Sequence, residues 1–153
     1  MNISATDLLN NLAGSIRNVW ASDKRATVTV AADPAHAVEL LTAGSANGCA
    51  VVIFYLSDLP DADEFDQDTR VAAQIRVAVV QNPGLTLRDG RKAPAVLRLI
   101  DDFRKWFAAQ TIEGTLDTTL KYKGMTHIPA AAGNALHGYA MTYEAVYAYE
   151  TED

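Results

Sequence analysis

The chain has 153 residues and 16.5 kDa, with 49% hydrophobic and 21% charged residues, a mix that fits one globular domain over 1–153 and excludes wholesale disorder or a fibrous repeat. Thirteen Lys and Arg against nineteen Asp and Glu leave a net charge of −6, which disfavours gripping nucleic acid by neutralising phosphates. The single cysteine, Cys49, excludes an intramolecular disulfide and a multi-cysteine zinc site, and a reducing compartment is expected.

Ser4 or Thr6 is placed to cap a first helix, in which Leu8, Leu9, Leu12, Ile16, Val19 and Trp20 share one face while Asn10, Asn11, Arg17 and Asn18 take the other. Ala26 to Ala31 is a short strand, expected at a sheet edge. Asp33 followed by Pro34 opens a short helix, because the carboxylate accepts a free amide and proline lacks only a donor that has no partner there; Gly44 closes it. The apolar run Ala50 to Leu56 is expected to be the central strand, buried on both faces. Ser57 to Asp68 then forms an acidic loop. From Arg70 to Val79, Val71, Ala73, Ile75, Val77 and Val79 alternate with Arg70, Ala72, Gln74 and Arg76, the period of a strand with one buried and one wetter face.

Asn82 to Gly84 stops that strand, and Leu85 to Lys92 is a turn-rich link. Pro94 opens a longer helix whose stripe is Val96, Leu97, Leu99, Ile100, Phe103, Trp106 and Phe107, with Arg98, Asp101, Asp102, Arg104 and Lys105 toward water. Thr118 to Lys123 is expected as a strand and Ala130 to Ala135 as a hairpin loop. The chain then alternates from His137 to Tyr149, with Tyr139, Met141, Tyr143, Tyr147 and Tyr149 on one side and part of that stripe in the core. Hairpins outnumber crossovers in this order. The fold class is α+β, with a mainly antiparallel or mixed sheet covered by the helices at about 6–20 and 95–108.

Catalytic chemistry finds no support. No phosphate-cradling glycine motif and no nucleophile elbow occurs, and His36, His127 and His137 lack metal-ligand spacing. His127 and His137 flank one loop and could form a weak pair without an evident third ligand. Cys49, ahead of a buried strand, reads as a small hydrophobe. Asp61, Asp63, Glu64, Asp66 and Asp68 could offer oxygen to calcium, but they lack EF-hand spacing, and with Asp58 they read better as a solvated, partner-facing element. Met1 to Ala13 lacks a targeting pattern, and no apolar run approaches the roughly 20 residues of a membrane span, so a soluble protein is expected.

The run E-F-D-Q-D-T-R at Glu64 to Arg70, followed at once by the alternating strand and preceded by A-V-V-I-F-Y-L, joins the helix near Val96 to Phe107 and the closing Y-A-M-T-Y-E and A-Y-E. Together these resemble the tailed-phage tail terminators of the minor tail protein U type. The Asp33 to Gly44 helix and the Ala130 to Ala135 loop depart from that pattern. The resemblance implies a small α+β subunit without catalysis, cofactor or metal. Its homohexameric ring caps the tail tube and joins it to the head-tail connector or neck protein, with the tape measure protein a further candidate contact. DNA would pass through the lumen without specific binding, and the protein would be assembled in the host cytoplasm into the head-proximal end of the virion's tail. A head-completion or neck protein is the competing reading, and a small enzyme or metal-binding domain a third.

Overall fold

The computed structural model describes residues 3–19, 26–45, 49–60, 70–81, 96–109, 120–128 and 137–149. In chain order these form α1 (Ala5–Val19), β1 (Ala26–Val30), α2 (Pro34–Ser45), β2 (Cys49–Pro60), β3 (Arg70–Gln81), α3 (Val96–Ala109), β4 (Lys121–Ile128) and β5 (His137–Ala148). The order of helices and strands is the one expected from periodicity. Trp20, the Leu85 to Lys92 link and the Ala130 to Ala135 loop lie outside the described residues.

The strands make one five-stranded mixed sheet in the order β1-β2-β3-β5-β4. β1 runs parallel to β2, and the other three pairings are antiparallel. β1 therefore is an edge, as expected, but the middle strand is β3 and not the apolar β2. Burial of β2 on both faces comes from helices above and below it, which does not require the central position.

Two crossovers build this order, β1-α2-β2 and β3-α3-β4. They advance across the sheet in the same direction from strands that point oppositely, so crossovers of one hand must place their helices on opposite faces. That is what the cores show. On the first face, Leu8, Leu12 and Ile16 of α1 and Leu99, Ile100, Phe103 and Phe107 of α3 cluster with Val51, Ile53, Ile75, Val77, Met141 and Tyr143. On the second face, Ala37 and Leu41 of α2 cluster with Ala50, Val52, Phe54, Ala78, Val80 and Ala140. A cover of two long helices thus omits α2, which holds a face of its own.

Local chemistry sets the ends. Ser4 is the first cap, its Oγ accepting from the Asp7 amide at 3.0 Å, while Asp33 Oδ1 accepts from the His36 amide at 2.7 Å. The first turn of α3 is held from the sheet, with the Val96 amide donating to Gln81 Oε1 at 3.0 Å. Arg17 is exposed, as expected, and also reaches from α1 to the edge strand, where its Nε and Nη2 donate to the Val28 carbonyl. That contact occupies one acceptor of an edge otherwise open to pairing.

Four further expectations need correction. Ser57 to Pro60 is strand, paired with β3 after a shift of register between Tyr55 and Ser57. β4 runs from Lys121 to Ile128, five residues past the expected end at Lys123; Leu120 precedes it, and Thr118 and Thr119 lie outside the described residues. Leu97 lies beside the α3 stripe and is half exposed. Arg104 is part-exposed and lies along β4 instead of pointing free into water, donating to Tyr122 Oη at 2.8 Å with its guanidinium 5.0 Å from that ring.

Candidate functional site

Of the six carboxylates singled out from sequence, Asp58 is described, and Asp61, Asp63, Glu64, Asp66 and Asp68 lie outside the described residues. Asp58 is not a loop residue. It sits in β2 opposite Ala73, on the first face, where alternation brings it beside Tyr55 and Tyr147. The Tyr55 hydroxyl donates to Asp58 Oδ2 at 2.6 Å, which leaves the Tyr147 hydroxyl to donate to Tyr55 Oη across 3.0 Å. The two rings meet edge to face, with centroids 6.5 Å apart. Burial, then the Asp58 contact, pushes the Tyr55 phenol well above its ordinary range, and burial raises Tyr147 as well. Both phenols therefore stay protonated near neutrality, and each holds its place in a hydrogen-bonded chain that ends on Asp58.

Next to Tyr55 an open cleft of about 530 Å³ lies between the start of α1, the end of β1 and the start of α2, lined by Thr6, Leu9, Asn10, Val30 and His36 among others. His36 Nδ1 accepts from the Ala32 amide at 3.0 Å, so its neutral ring carries the proton on Nε2. The lining is mostly apolar. Nothing in it forms a nucleophile with an adjacent base.

The remaining candidates stay apart. His127 is exposed on β4 with its ring 5.4 Å from that of Tyr139, and in the ladders His127 pairs with Tyr139 while His137 pairs with Gln81. Among the described residues no three His, Cys, Asp or Glu side chains come together as a metal site. Cys49 is buried, 1% exposed, in the first-face core.

The feature with the most interaction potential is the half of the second face that α2 does not reach. Cross-strand register places Leu59, Ala72 and Val146 in one row; Ser57, Gln74, Glu144 and Lys121 form the next, and Arg76 and Thr142 the one beyond. Leu59 is 72% exposed and Leu56, at the register shift, 42% exposed. Around the apolar row lie Arg70, Arg76 and Lys123, with Lys123 Nζ 3.7 Å from Glu144 and Gln74 donating to Glu144 at 3.2 Å. The Nε of Arg76 is buried with no hydrogen-bond partner among the described residues.

Sequence reasoning marked the wet side of β3 but missed this surface, because it arises only when β2, β3, β5 and β4 fall into register. The exposed Leu56 and Leu59 at the end of an apolar strand were the available signal. Among the described residues no helix is long and apolar enough to cross a membrane. Comparison of the chain with models of known protein families gives no match, and comparison with curated proteins gives none.

Proposed function

We propose that the chain is a structural virion protein of the tail-terminator kind, which assembles as a homohexameric ring on the last layer of a phage tail tube and stops its growth. The ring sits at the head-proximal end of the tail and offers its other side to the connector or neck protein, with the tape measure protein a further contact in the lumen. In this reading α1 and α3, the two longer amphipathic helices, cover the first face and make the subunit rigid. The acidic stretch from Asp58 to Asp68 is a contact element and holds no metal. No substrate, cofactor or catalytic residue is assigned.

The observation that carries the proposal is the half of the second face that no described helix covers, an apolar row of Leu59, Ala72 and Val146 within a charged rim. Exposed contiguous apolar area rimmed by polar groups is what protein–protein contact surfaces present. A cyclic head-to-tail contact through such a surface closes a ring when the rotation per subunit divides a full turn. An acidic chain also suits a conduit through which DNA must slide without adhering.

Negative-stain microscopy and native mass spectrometry of the purified protein, alone and with isolated tail tubes, test the reading. A six-membered ring seated on tube ends is expected. A protein that stays monomeric on purified tubes would overturn it.

A further inference from the structure

The open half of the second face has a composition that names its occupant. Arg70, Arg76, Lys121 and Lys123, four of the chain's thirteen basic residues, stand on this face against one acid among the described residues, Glu144, in a chain whose net charge is −6. Between them runs the apolar row of Leu59, Ala72 and Val146, of which Leu59 is 72% exposed within the single chain. The surface thus calls for a segment that is acidic and carries an apolar side chain.

The stretch of the sequence richest in that chemistry is D-A-D-E-F-D-Q-D at residues 61–68, with five carboxylates around Phe65. We infer that the open second face of β2, β3, β5 and β4 binds the 61–68 segment of a second copy of this chain, head to tail. This deepens the ring reading above and rests on it. Dimensions agree. From Arg70 to Arg76 along β3 is about 20 Å at roughly 3.3 Å per residue, and eight extended residues reach about 27 Å. Carboxylates on both sides of Phe65 can therefore meet the arginines at both ends of the face while the ring lies on Leu59 and Val146. Charge also selects the symmetry. Two copies meeting through the same face would oppose two basic surfaces, whereas a face meeting the acidic segment of a neighbour pairs opposite signs at each joint and leaves a free segment and a free face to propagate.

Two measurements test this. In the first, a fluorescein-labelled peptide of residues 60–69 is titrated with the full chain and followed by anisotropy. Binding is expected at low salt; the surface variant R76E/K123E should weaken it about tenfold or more, and 0.5 M salt should weaken it too. A peptide that fails to bind, or binds the variant equally well, overturns the inference, whatever rings are seen. In the second, native mass spectrometry compares the wild type, D61K/D63K/E64K, R76E/K121E/K123E and the combination, with circular dichroism verifying that each is folded. Each single set should lose the oligomer and the combination should regain it. Oligomers unchanged in either reversed set would refute this contact while leaving the ring itself standing, whereas peptide binding without any oligomer would uphold the contact and refute the ring.

Discussion

Gly138 offers a sharp test of the sheet's interior. It lies in β5 opposite Val80 of β3, between strands that both have neighbours on each side. A methyl group built at Gly138 would press against the Val79 carbonyl oxygen and stand 2.7 Å from Val80 Cγ2 and 3.0 Å from Val80 Cα. Two of these three atoms are backbone in the middle strand, so relief requires the ladder itself to part. Overpacking costs about 1–3 kcal/mol, and each weakened ladder bond adds about 1 kcal/mol, while the stiffer unfolded chain returns about 0.4–1 kcal/mol. The net for Gly138→Ala is a loss of about 3 kcal/mol, a fall in Tm of about 6–12 °C at this chain length. Gly14, inside α1, has nothing within 4 Å of the same added methyl. Gly14→Ala should therefore raise stability by about 0.5–1 kcal/mol through helix propensity alone. Urea unfolding of both variants decides the matter. Equal and small effects at the two glycines would refute the close β3–β5 approach.

Other consequences follow from the same packing. Phe103 is 2% exposed and stacked on Phe107 with centroids 5.6 Å apart, so Phe103→Ala should cost about 3–5 kcal/mol, while Leu97→Ala on the same helix, half exposed, should cost under about 1 kcal/mol; calorimetry distinguishes them. Burial raises the Tyr143 phenol above its ordinary value, so the folded chain keeps a proton that the unfolded chain releases above about pH 10. Its contribution is whole below that pH and is lost as pH climbs, by up to about 1.4 kcal/mol per unit, and Tyr143→Phe should flatten the alkaline fall in Tm relative to wild type. Cys49, 1% exposed, should resist a thiol reagent such as DTNB until the protein is unfolded; rapid labelling of the native chain would contradict its place in the core. Calcium should leave Tm unchanged. A calcium-dependent rise of several degrees, abolished by D63N/D66N, would turn the acidic segment into a chelating site.

Much of the fold was legible because each element carries a periodic signal of its own. The two-residue alternation of β3 and β5 and the apolar stripes of α1 and α3 identify buried faces without knowledge of neighbours. The aspartate before Pro34 likewise declares the start of α2, since its cap is local. What escaped depends on pairing. That β3 and not β2 is central cannot be read from hydrophobicity, since a helix on each face buries β2 as thoroughly as a central position would. Arg17 and Arg104 look like solvent residues on a helical wheel, yet each has a long stem that reaches a partner on another element, the Val28 carbonyl and the Tyr122 ring. Ser57 to Pro60 is polar enough to resemble loop but is held as strand by its ladder to β3. The candidate site was the least legible for the same reason. Asp58 is acidic in sequence and a tyrosine partner in space, while the surface of Leu59, Ala72, Val146 and Arg76 is drawn from three strands that register alone assembles.

The central claim is that this chain ends tube growth, and the length of tails made without it is the most direct measure of that claim. On the proposed reading, a ring on the last tube layer would occlude the surface on which the next layer adds, so its loss would reopen polymerisation while leaving other parts intact. Deleting the coding gene from a phage genome that encodes this chain, and measuring tails by electron microscopy, should then show tubes of broad and excessive length lying unjoined beside filled heads, corrected when the wild-type chain is supplied in trans. Tails of normal, uniform length in the deletion strain would contradict the account.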